Sequence, residues 1–598
     1  MKVSDYVINF LVQRGIEDVF MVSGGGIIHL CDSVGKNPHI KYYCNHNEQA
    51  SGYCAEGYAR QKNSIGACLV TTGPGSTNAI SGVCSAFVDS VPMIVISGQV
   101  KRELIADYTR LRQIGEQEIN IIDMVKPVTK YAVTIDDPNM IQYELEQAYY
   151  IATTGRPGPV WINIPLDVQG SQVEEKDLKT FVPTRFDLEK NTSALRDQVK
   201  EVTRLLKDAK RPLLLCGCGI RLAHAEGLLK SLLEILPVPT LLSFNGMDLL
   251  PEDHPSLVGK PGIIGQRRAN FALQNADFLL TIGSRMNIKI VGYNYKDVAT
   301  KARKVMVDID KEEMAKHTVS PDIVIEADAR DFIDELTAQV CKETIELSTK
   351  WVDACQNWKK KYPSITDDFF EDKQHVNTYV FYDKLSDALR PDDVVVSGNG
   401  MAALNLYQAF KVKEGQRAFT NNGYGAMGWD LPAAIGACVA HKAQRTICVA
   451  GDGSILMNIQ ELGLLAYHDL PLKIFIFNNQ GYSSIRLTQD NLFAGYYVGA
   501  DTSSGVGIPD FQKLAGAYGL AYDRIDNNAQ LKEKIDQVLA SSGPIICDVQ
   551  INPKQGIVPK TKSYKREDGS FESRPLEDMF PFLGRDEVKE NMKISEDA

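Results

Sequence analysis

The 598-residue chain has no apolar run long enough to cross a bilayer, so no membrane span is expected. It has no basic stripe: 65 Lys and Arg stand against 76 Asp and Glu, and the net charge of −11 argues against a nucleic-acid partner. That acidity does not exclude a phosphorylated ligand, because phosphate can be held through Mg2+ and backbone N–H groups. The first residues, Met1 to Tyr6, carry a lysine but no apolar core or small-residue cleavage site, and they read as the start of an amphipathic helix instead of an export signal. The twelve cysteines lack the spacing of a zinc site; Cys216-Gly217-Cys218 is too tight and has no second pair nearby. Cys68, Cys84, Cys216, Cys438, Cys448 and Cys547 lie inside apolar runs, as buried reduced thiols of a cytoplasmic protein do. No short repeat or low-complexity tract is visible.

What is present is an ordinary globular composition, 44% hydrophobic and 24% charged. The length suggests about three domains at roughly 100–200 residues each. Short β-branched runs alternate with helical stretches: Ala67–Thr71, Met93–Ser97, Val160–Ile164, Leu213–Cys216, Phe278–Ile282, Val305–Asp308, Val394–Ser397, Thr446–Ala450, Lys473–Phe477 and Ile545–Val549. Such runs are expected of strands buried on both faces of parallel sheets, and the alternation makes the chain α/β. Two charged stretches, Ser171–Asn191 and Thr344–Val376, read as connections, the second partly helical. The expected domains are residues 1–175, 190–345 and 370–560. A charged tail over 561–598, with no strand signal, is expected to wrap the surface or cover a site.

In the third domain the strand Thr446–Ala450 runs into Gly451-Asp452-Gly453-Ser454. A helix-like stretch, Ile455–Tyr467, leads to the strand Lys473–Phe477 and then Asn478-Asn479-Gln480-Gly481-Tyr482. This is one βαβ unit with polar groups at two strand ends, where open α/β sheets bind ligands. The Asp452 carboxylate, the Asn479 amide oxygen and the Gly481 carbonyl are three hard oxygen donors suited to Mg2+ beside a diphosphate, and the glycines let the backbone come close. A bare Gly-Asp-Gly could be only a turn; the strand-end Asn-Asn-x-Gly-Tyr beyond it makes the metal reading the stronger one. In the first domain, Asn45-His46-Asn47-Glu48-Gln49 opens a helix ahead of Gly73-Pro74-Gly75-Ser76-Thr77-Asn78. Alone, Glu48 reads as a helix-start acid favoured by the N-terminal dipole.

Together these motifs resemble the thiamine diphosphate enzymes of the pyruvate decarboxylase and acetolactate synthase superfamily. The resemblance to the catalytic subunit of acetolactate synthase covers roughly residues 1–560. Gly73–Ala79, Ser97-Gly98-Gln99-Val100, Leu431–Ala437 and Gln460-Glu461-Leu462 add to the match. The resemblance implies three doubly wound parallel-sheet domains, pyrimidine-binding, central and diphosphate-binding, with the first and third sharing a fold. It implies that Glu48 gives a proton to the cofactor's aminopyrimidine, with Glu56 the rival. Gly24, Gly25, His29 and Gln99 join Glu48 as catalytic candidates. Gly398, Asn399, Gly400 and Met401 resemble the first diphosphate loop. Met427 props the bent cofactor, and Gly425 offers it a carbonyl. Gly451, Asp452, Gly453, Ser454, Asn479, Gly481 and Tyr482 complete the cofactor set, with Asp452, Asn479 and Gly481 on the metal. It implies a homodimer or homotetramer with sites at the subunit interface, and it leaves a regulatory subunit undecided.

The departures lie where substrates bind. The family's Tyr-Pro-Gly-Gly-Ala is Val22-Ser23-Gly24-Gly25-Gly26 here, with His29 shortly after, and Glu116 stands where a phenylalanine is expected. Ile485 takes the place of a catalytic glutamate of simple decarboxylases, and Thr488 that of an acceptor-pocket tryptophan. Loss of the acid favours carbon–carbon bond formation over protonation, and the smaller Thr488 implies a larger, more polar acceptor pocket. Glu116, Gln117, Ile485, Arg486 and Thr488 are therefore the substrate candidates. The expected reaction is decarboxylation of a 2-oxo acid, pyruvate first, with acyl transfer to a carbonyl acceptor such as a polar keto compound or nucleotide keto sugar. The alternatives are a flavin-dependent pyruvate oxidase and a non-catalytic cofactor-binding protein. FAD stays open: Gly259–Gly265, Gly283–Asn287 and Asp308-Ile309-Asp310 resemble the synthase's FAD-lining segments in part.

Overall fold

Each of the ten apolar runs forms a strand flanked on both sides by other strands, the environment that rewards continuous apolar sequence. A computed structural model describes residues 1–183, 192–566, 568–569 and 571–597. The first sheet holds β1 (Asp18–Met21), β2 (Lys41–Cys44), β3 (Gly66–Val70), β4 (Met93–Gln99), β5 (Tyr131–Thr134) and β6 (Pro159–Pro165), in the order β2-β1-β3-β4-β6-β5. The central sheet holds β7 (Pro212–Cys216), β8 (Thr240–Leu242), β9 (Leu257–Gly259), β10 (Phe278–Ile282), β11 (Arg303–Asp308) and β12 (Ile323–Glu326), in the order β12-β11-β10-β7-β8-β9. The third holds β13 (Val394–Ser397), β14 (Arg417–Thr420), β15 (Thr446–Gly451), β16 (Leu472–Asn478), β17 (Ala521–Ile525) and β18 (Ile545–Gln550), in the order β14-β13-β15-β16-β18-β17. Every ladder in these three sheets is parallel.

Counted from its own first strand, the third sheet repeats the order of the first, so these two domains share a topology although their sequences do not advertise it. The central sheet has the 3-2-1-4-5-6 order of dinucleotide-binding folds. All three domains are doubly wound α/β units. The connection expected over Ser171–Asn191 is described only to residue 183, so its remainder lies outside the described residues. The second connection contains the helix Thr349–Lys361.

Two local expectations change. The tail does contain strands: Ser563–Lys565 pairs antiparallel with Phe571–Ser573, a ribbon too short and polar to register as an apolar run. It then continues to the helix Arg585–Asp597. Ile455–Tyr467 is not one helix. It breaks at Asn458 (φ −136°), whose side-chain amide donates to Gly428 O at 2.7 Å and to Gln49 Oε1 at 3.1 Å.

The first and third domains meet where helix α1 (Glu48–Lys62) crosses helix α2 (Asp430–Ala440). Asn47 caps α1 by accepting from Gln49 N at 2.8 Å. The crossing is close because its contact residues are small: a Cβ on Gly57 would overlap the backbone of Ala433, and one on Gly436 the carbonyl of Cys54. Glu56 sits beside this contact, fully buried, and accepts from Arg60 Nη2 at 2.7 Å and from Trp429 Nε1 at 2.8 Å, while Arg60 also pairs with Asp89 at 2.7 Å. Gly57→Ala is expected to lower the melting temperature, because about 1–3 kcal/mol of overpacking outweighs the helix-propensity gain of about 1 kcal/mol. A raised melting temperature would show that the helices do not touch there.

Candidate active site

In doubly wound sheets ligands bind outside the carboxyl ends of the strands, where the strand order reverses. In the third sheet that point lies between β13 and β15, and three neighbouring strand-end loops, 398–401, 451–454 and 478–482, gather there. β15 and β16 end in register, Gly451 opposite Phe477, so Asp452 lies beside the turn of Asn479. Asp452 is 1% exposed. Its Oδ2 accepts from the backbone N–H of Asn479 and of Gly481, both at 3.0 Å, and its Oδ1 from Gly453 N at 2.8 Å. Burial pushes its carboxyl up to about 6, against the pull of those amides. No ion pair to Asp452 occurs among the described residues, so a buried carboxylate is left to be neutralised by something else. Around it the backbone is tight. Gly481 has φ +140°, and a Cβ on Gly453 would overlap the ring of Tyr482.

The rest of the site packs on this core. Asn399 caps the helix Gly400–Ala409, and its Nδ2 donates to Gly425 O at 2.6 Å. Gly400 has φ +61°, and Met401 behind it is buried. Ser454 Oγ donates to Asp430 Oδ2 at 2.5 Å and accepts from Gly428 N at 3.0 Å. In the first sheet the order reverses between β1 and β3, which brings the loops 22–26 and 71–75 together. Gly26 N donates to Thr71 Oγ1 at 3.1 Å, and a Cβ on Gly24 would stand 2.5 Å from Thr71 Cβ; Gly25 faces open space. Glu48, 8% exposed at the start of α1, lies against this glycine wall, 3.0 Å from where a Cβ on Gly75 would be. Its Oε2 accepts from Asn78 Nδ2 at 3.0 Å. Glu56, the rival acid, has its oxygens committed to Arg60 and Trp429.

Family models match the chain in three stretches: residues 1–124 the N-terminal thiamine pyrophosphate-binding domain of thiamine pyrophosphate enzymes, 199–336 their central domain, and 398–549 their C-terminal thiamine pyrophosphate-binding domain. The chain belongs to the thiamine pyrophosphate enzyme family. A probable acetolactate synthase large subunit of Methanocaldococcus jannaschii is 32% identical, covering 93% of this chain and 93% of its own length. The acetolactate synthase large subunit of Cyanidium caldarium is 30% identical over 92% of this chain and 94% of its own. The isozyme 1 large subunit of Escherichia coli is 28% identical over 93% and 95%.

The residues present fit thiamine diphosphate with Mg2+. No cluster of three or more His, Cys, Asp or Glu suited to a metal exists among the described residues. One buried carboxylate, an amide oxygen and a backbone carbonyl is instead the sparse donor set by which Mg2+ is held when diphosphate oxygens and water supply the rest. The sequence pattern did not point to Asp430. It is fully buried under the loop 398–401, its Oδ2 2.6 Å from where a Cβ on Gly398 would be, and burial raises its carboxyl to about 6. The only linear signal was an acid inside the apolar Trp429–Ala437 run.

The substrate candidates scatter. Arg486 does not face the cleft: with Ser483 it occupies the buried side of helix α3 (Ser483–Phe493). Its Nη2 donates to Asn479 Oδ1 at 2.8 Å and Asn479 O at 2.9 Å, and its Nη1 to Gln480 O at 3.3 Å. Ser484, Ile485 and Thr488 share the exposed side of α3, near Gly400, and Thr488 Oγ1 turns back to Ser484 O at 2.9 Å. Glu116 and Gln117 are exposed, and the Gln117 backbone abuts Gly73, two residues from the Gly75 that faces Glu48. Gln99 is buried and spends its amide on Ile119 O (3.1 Å) and Val100 N (2.9 Å). The ring of His29 lies against Gly170. In the central domain a cavity of about 400 Å3 opens at the switch between β7 and β10, lined in part by Gly219, Gly283–Asn287 and Asp308-Ile309. The stretch Gly259–Gly265 stays outside it: Ile263 N donates to Lys289 O at 2.9 Å, and Ile263 O accepts from Thr561 N of the tail at 2.8 Å.

Arg486→Met is expected to cost the cofactor-free protein about 2–3 kcal/mol, read as a lower melting temperature. Arg486→Lys should recover only part, since one ammonium does not reproduce the planar fork that reaches two carbonyls and an amide. Full stability in Arg486→Met would mean that the Asn479 turn holds itself.

Proposed function

We propose that the chain catalyses thiamine diphosphate- and Mg2+-dependent decarboxylation of a 2-oxo acid, pyruvate first, with transfer of the acyl carbanion to a carbonyl acceptor. The observation that carries this is the pair of complete strand-end sites, Glu48 with Asn78 and Asp452 with the Asn479–Gly481 turn, in a chain aligned along nearly its whole length with acetolactate synthase large subunits. Mg2+ would be held by the Asp452 carboxylate, Asn479 Oδ1 and the Gly481 carbonyl, with Gly398–Met401 and Gly451–Ser454 around the diphosphate. When bound, thiamine diphosphate would supply a carbon nucleophile and an electron sink for decarboxylation.

The chain's own residues govern activation and the fate of the carbanion. Glu48, oriented by Asn78, holds a proton against the aminopyrimidine nitrogen. Met427 would support the cofactor, and the Gly425 carbonyl, which accepts from Asn399, would face its amino group. Ile485, 45% exposed at the start of α3, carries no proton to give, so the carbanion is left for an electrophile. Thr488, smaller than an indole and with its hydroxyl on Ser484 O, would leave room for a polar keto compound or nucleotide keto sugar. The oxidase alternative is less favoured: the relatives are named as synthases, and carboligation moves no net electrons. FAD, left open by the sequence, would be structural, and only two of the three flavin-like stretches border the central cavity.

A second copy of the chain is expected to complete the assembly as a homodimer or homotetramer. The exposed Leu111, Ile114, Met124, Leu492 and Phe493 support this by offering apolar surface for it. A regulatory subunit stays open. No helix among the described residues is long and apolar enough to cross a membrane, and a cytoplasmic location is proposed.

Purified protein with pyruvate, thiamine diphosphate and Mg2+ should release CO2, and chelation of the metal should stop it. Glu48→Gln should lower turnover by about 10²–10⁴-fold while the cofactor still binds. Full turnover in that variant would remove Glu48 from the mechanism, and no CO2 from any of a panel of 2-oxo acids would remove the function.

A further inference from the structure

The loop 421–428, which carries Gly425 and Met427, is gripped by all three domains. The third domain holds it through Asn399 on Gly425 O (2.6 Å), Ser454 on Gly428 N (3.0 Å) and Asn458 on Gly428 O (2.7 Å). The first domain presses on it through Asp89, whose Oδ1 would overlap a Cβ on Gly423. The central domain reaches it through one side chain, Lys289, whose Nζ donates to Asn422 O at 2.6 Å and also to Asn422 Oδ1.

Lys289 is built to stay where it is. It sits in the short helix Ile288–Val291, capped by Asn287, and its own carbonyl accepts from Ile263 N at 2.9 Å. Its ammonium lies 5.7 Å from the ring centroid of Phe244, which is stacked at 3.6 Å on the buried Tyr407. Among the described residues it forms no ion pair with a carboxylate. A cation taken from water without a counter-charge depends on the acceptors it does have, and both of these belong to Asn422, itself 5% exposed. The contact therefore fixes both partners.

We propose that Lys289 is a positioning residue for the thiamine reaction: through Asn422 it lets the central domain set the height and tilt of the loop that presents Gly425 and Met427. The proposal rests on the thiamine function proposed for the chain. Its chemistry is non-covalent: Lys289 acts through Asn422 and not on the reacting atoms. Removing it should loosen the prop under the cofactor without removing the diphosphate and metal contacts, which come from other loops. A misplacement of about 1 Å in such a support is enough to slow a reaction about 10²-fold.

Burial brings the Lys289 ammonium down to about 8, partly offset by Asp89; Arg156, Arg285, Asp308 and Asp328 lie on the walls of the same cavity. As pH rises through about 8 the amine loses its charge, and its hold on Asn422 weakens. Turnover should therefore fall along that limb in the natural protein and not in Lys289→Arg, whose guanidinium keeps its charge.

The test compares Lys289→Met and Lys289→Arg with the natural protein in four readings: kcat on pyruvate, thiamine diphosphate affinity by titration, the near-UV circular dichroism of the bound cofactor, and the melting temperature of the cofactor-free protein. Lys289→Met is expected to lose about 10- to 100-fold in kcat with an altered dichroism band, while affinity stays close to that of the natural protein and the melting temperature falls too little to unfold it at the assay temperature. Lys289→Arg should restore most of the rate and flatten the alkaline limb. An unchanged kcat in Lys289→Met overturns the proposal, as does a loss that only tracks weaker cofactor binding or a lower melting temperature. If Lys289→Met does not fold, the alkaline limb of Lys289→Arg decides alone. If the natural protein fails to bind thiamine diphosphate or release CO2, the thiamine function itself is what has failed.

Discussion

Parallel strands that end side by side leave backbone N–H groups pointing past the sheet with no partner, and a buried acceptor has to meet them. Asp452 is that acceptor. One carboxylate oxygen takes the amides of Asn479 and Gly481, which draws the turn after β16 onto the turn after β15. Everything nearby depends on that closure. Arg486 braces the Asn479 turn from behind, Tyr482 lies over Gly453, and Ser454 passes the constraint on to Asp430 and Gly428. Among the described residues that carboxylate has no ion-paired cation, so the interaction that shapes the turn also leaves a buried acid that fits the proposed metal.

The interior of each sheet was legible because strands buried on both faces write unbroken apolar runs. What stayed hidden has a common cause. Lys41–Cys44, Tyr131–Thr134, Leu257–Gly259, Ile323–Glu326, Arg417–Thr420 and Ala521–Ile525 are the edge strands of the three sheets, and most of them are partly exposed and mixed in polarity. Asp18–Met21 and Thr240–Leu242 are interior but too short to stand out. The tail ribbon's strands are as short as Thr240–Leu242.

The site divides along a similar line. The positions of Asp452, Asn479 and Glu48 at strand ends and a helix start could be read, because there sequence position nearly fixes spatial position. Asp430 could not, since its partners Ser454 and Gly398 are brought to it only by the tertiary fold. Arg486 and Ile485 are adjacent in sequence and look like equal substrate contacts. The phase of helix α3 separates them, turning Arg486 inward with Ser483 and Ile485 outward with Thr488. The proposed acceptor pocket therefore rests on Ile485 and Thr488, and Arg486 belongs to the Asn479 turn.

The repeated strand order of the first and third sheets means that one topological switch point occurs twice, once beside Glu48 and once beside Asp452, the acid and the metal ligand of the proposed reaction. The helix crossing of α1 on α2 and the three-domain grip on the loop 421–428 tie these two sites into one framework. The most direct measurement is the fate of isotopically labelled pyruvate, tracked by mass spectrometry in the presence of thiamine diphosphate, Mg2+ and candidate carbonyl acceptors. The account predicts one labelled two-carbon unit joined to an acceptor for each CO2 released. Labelled acetaldehyde alone, or labelled acetate formed together with peroxide, would contradict it.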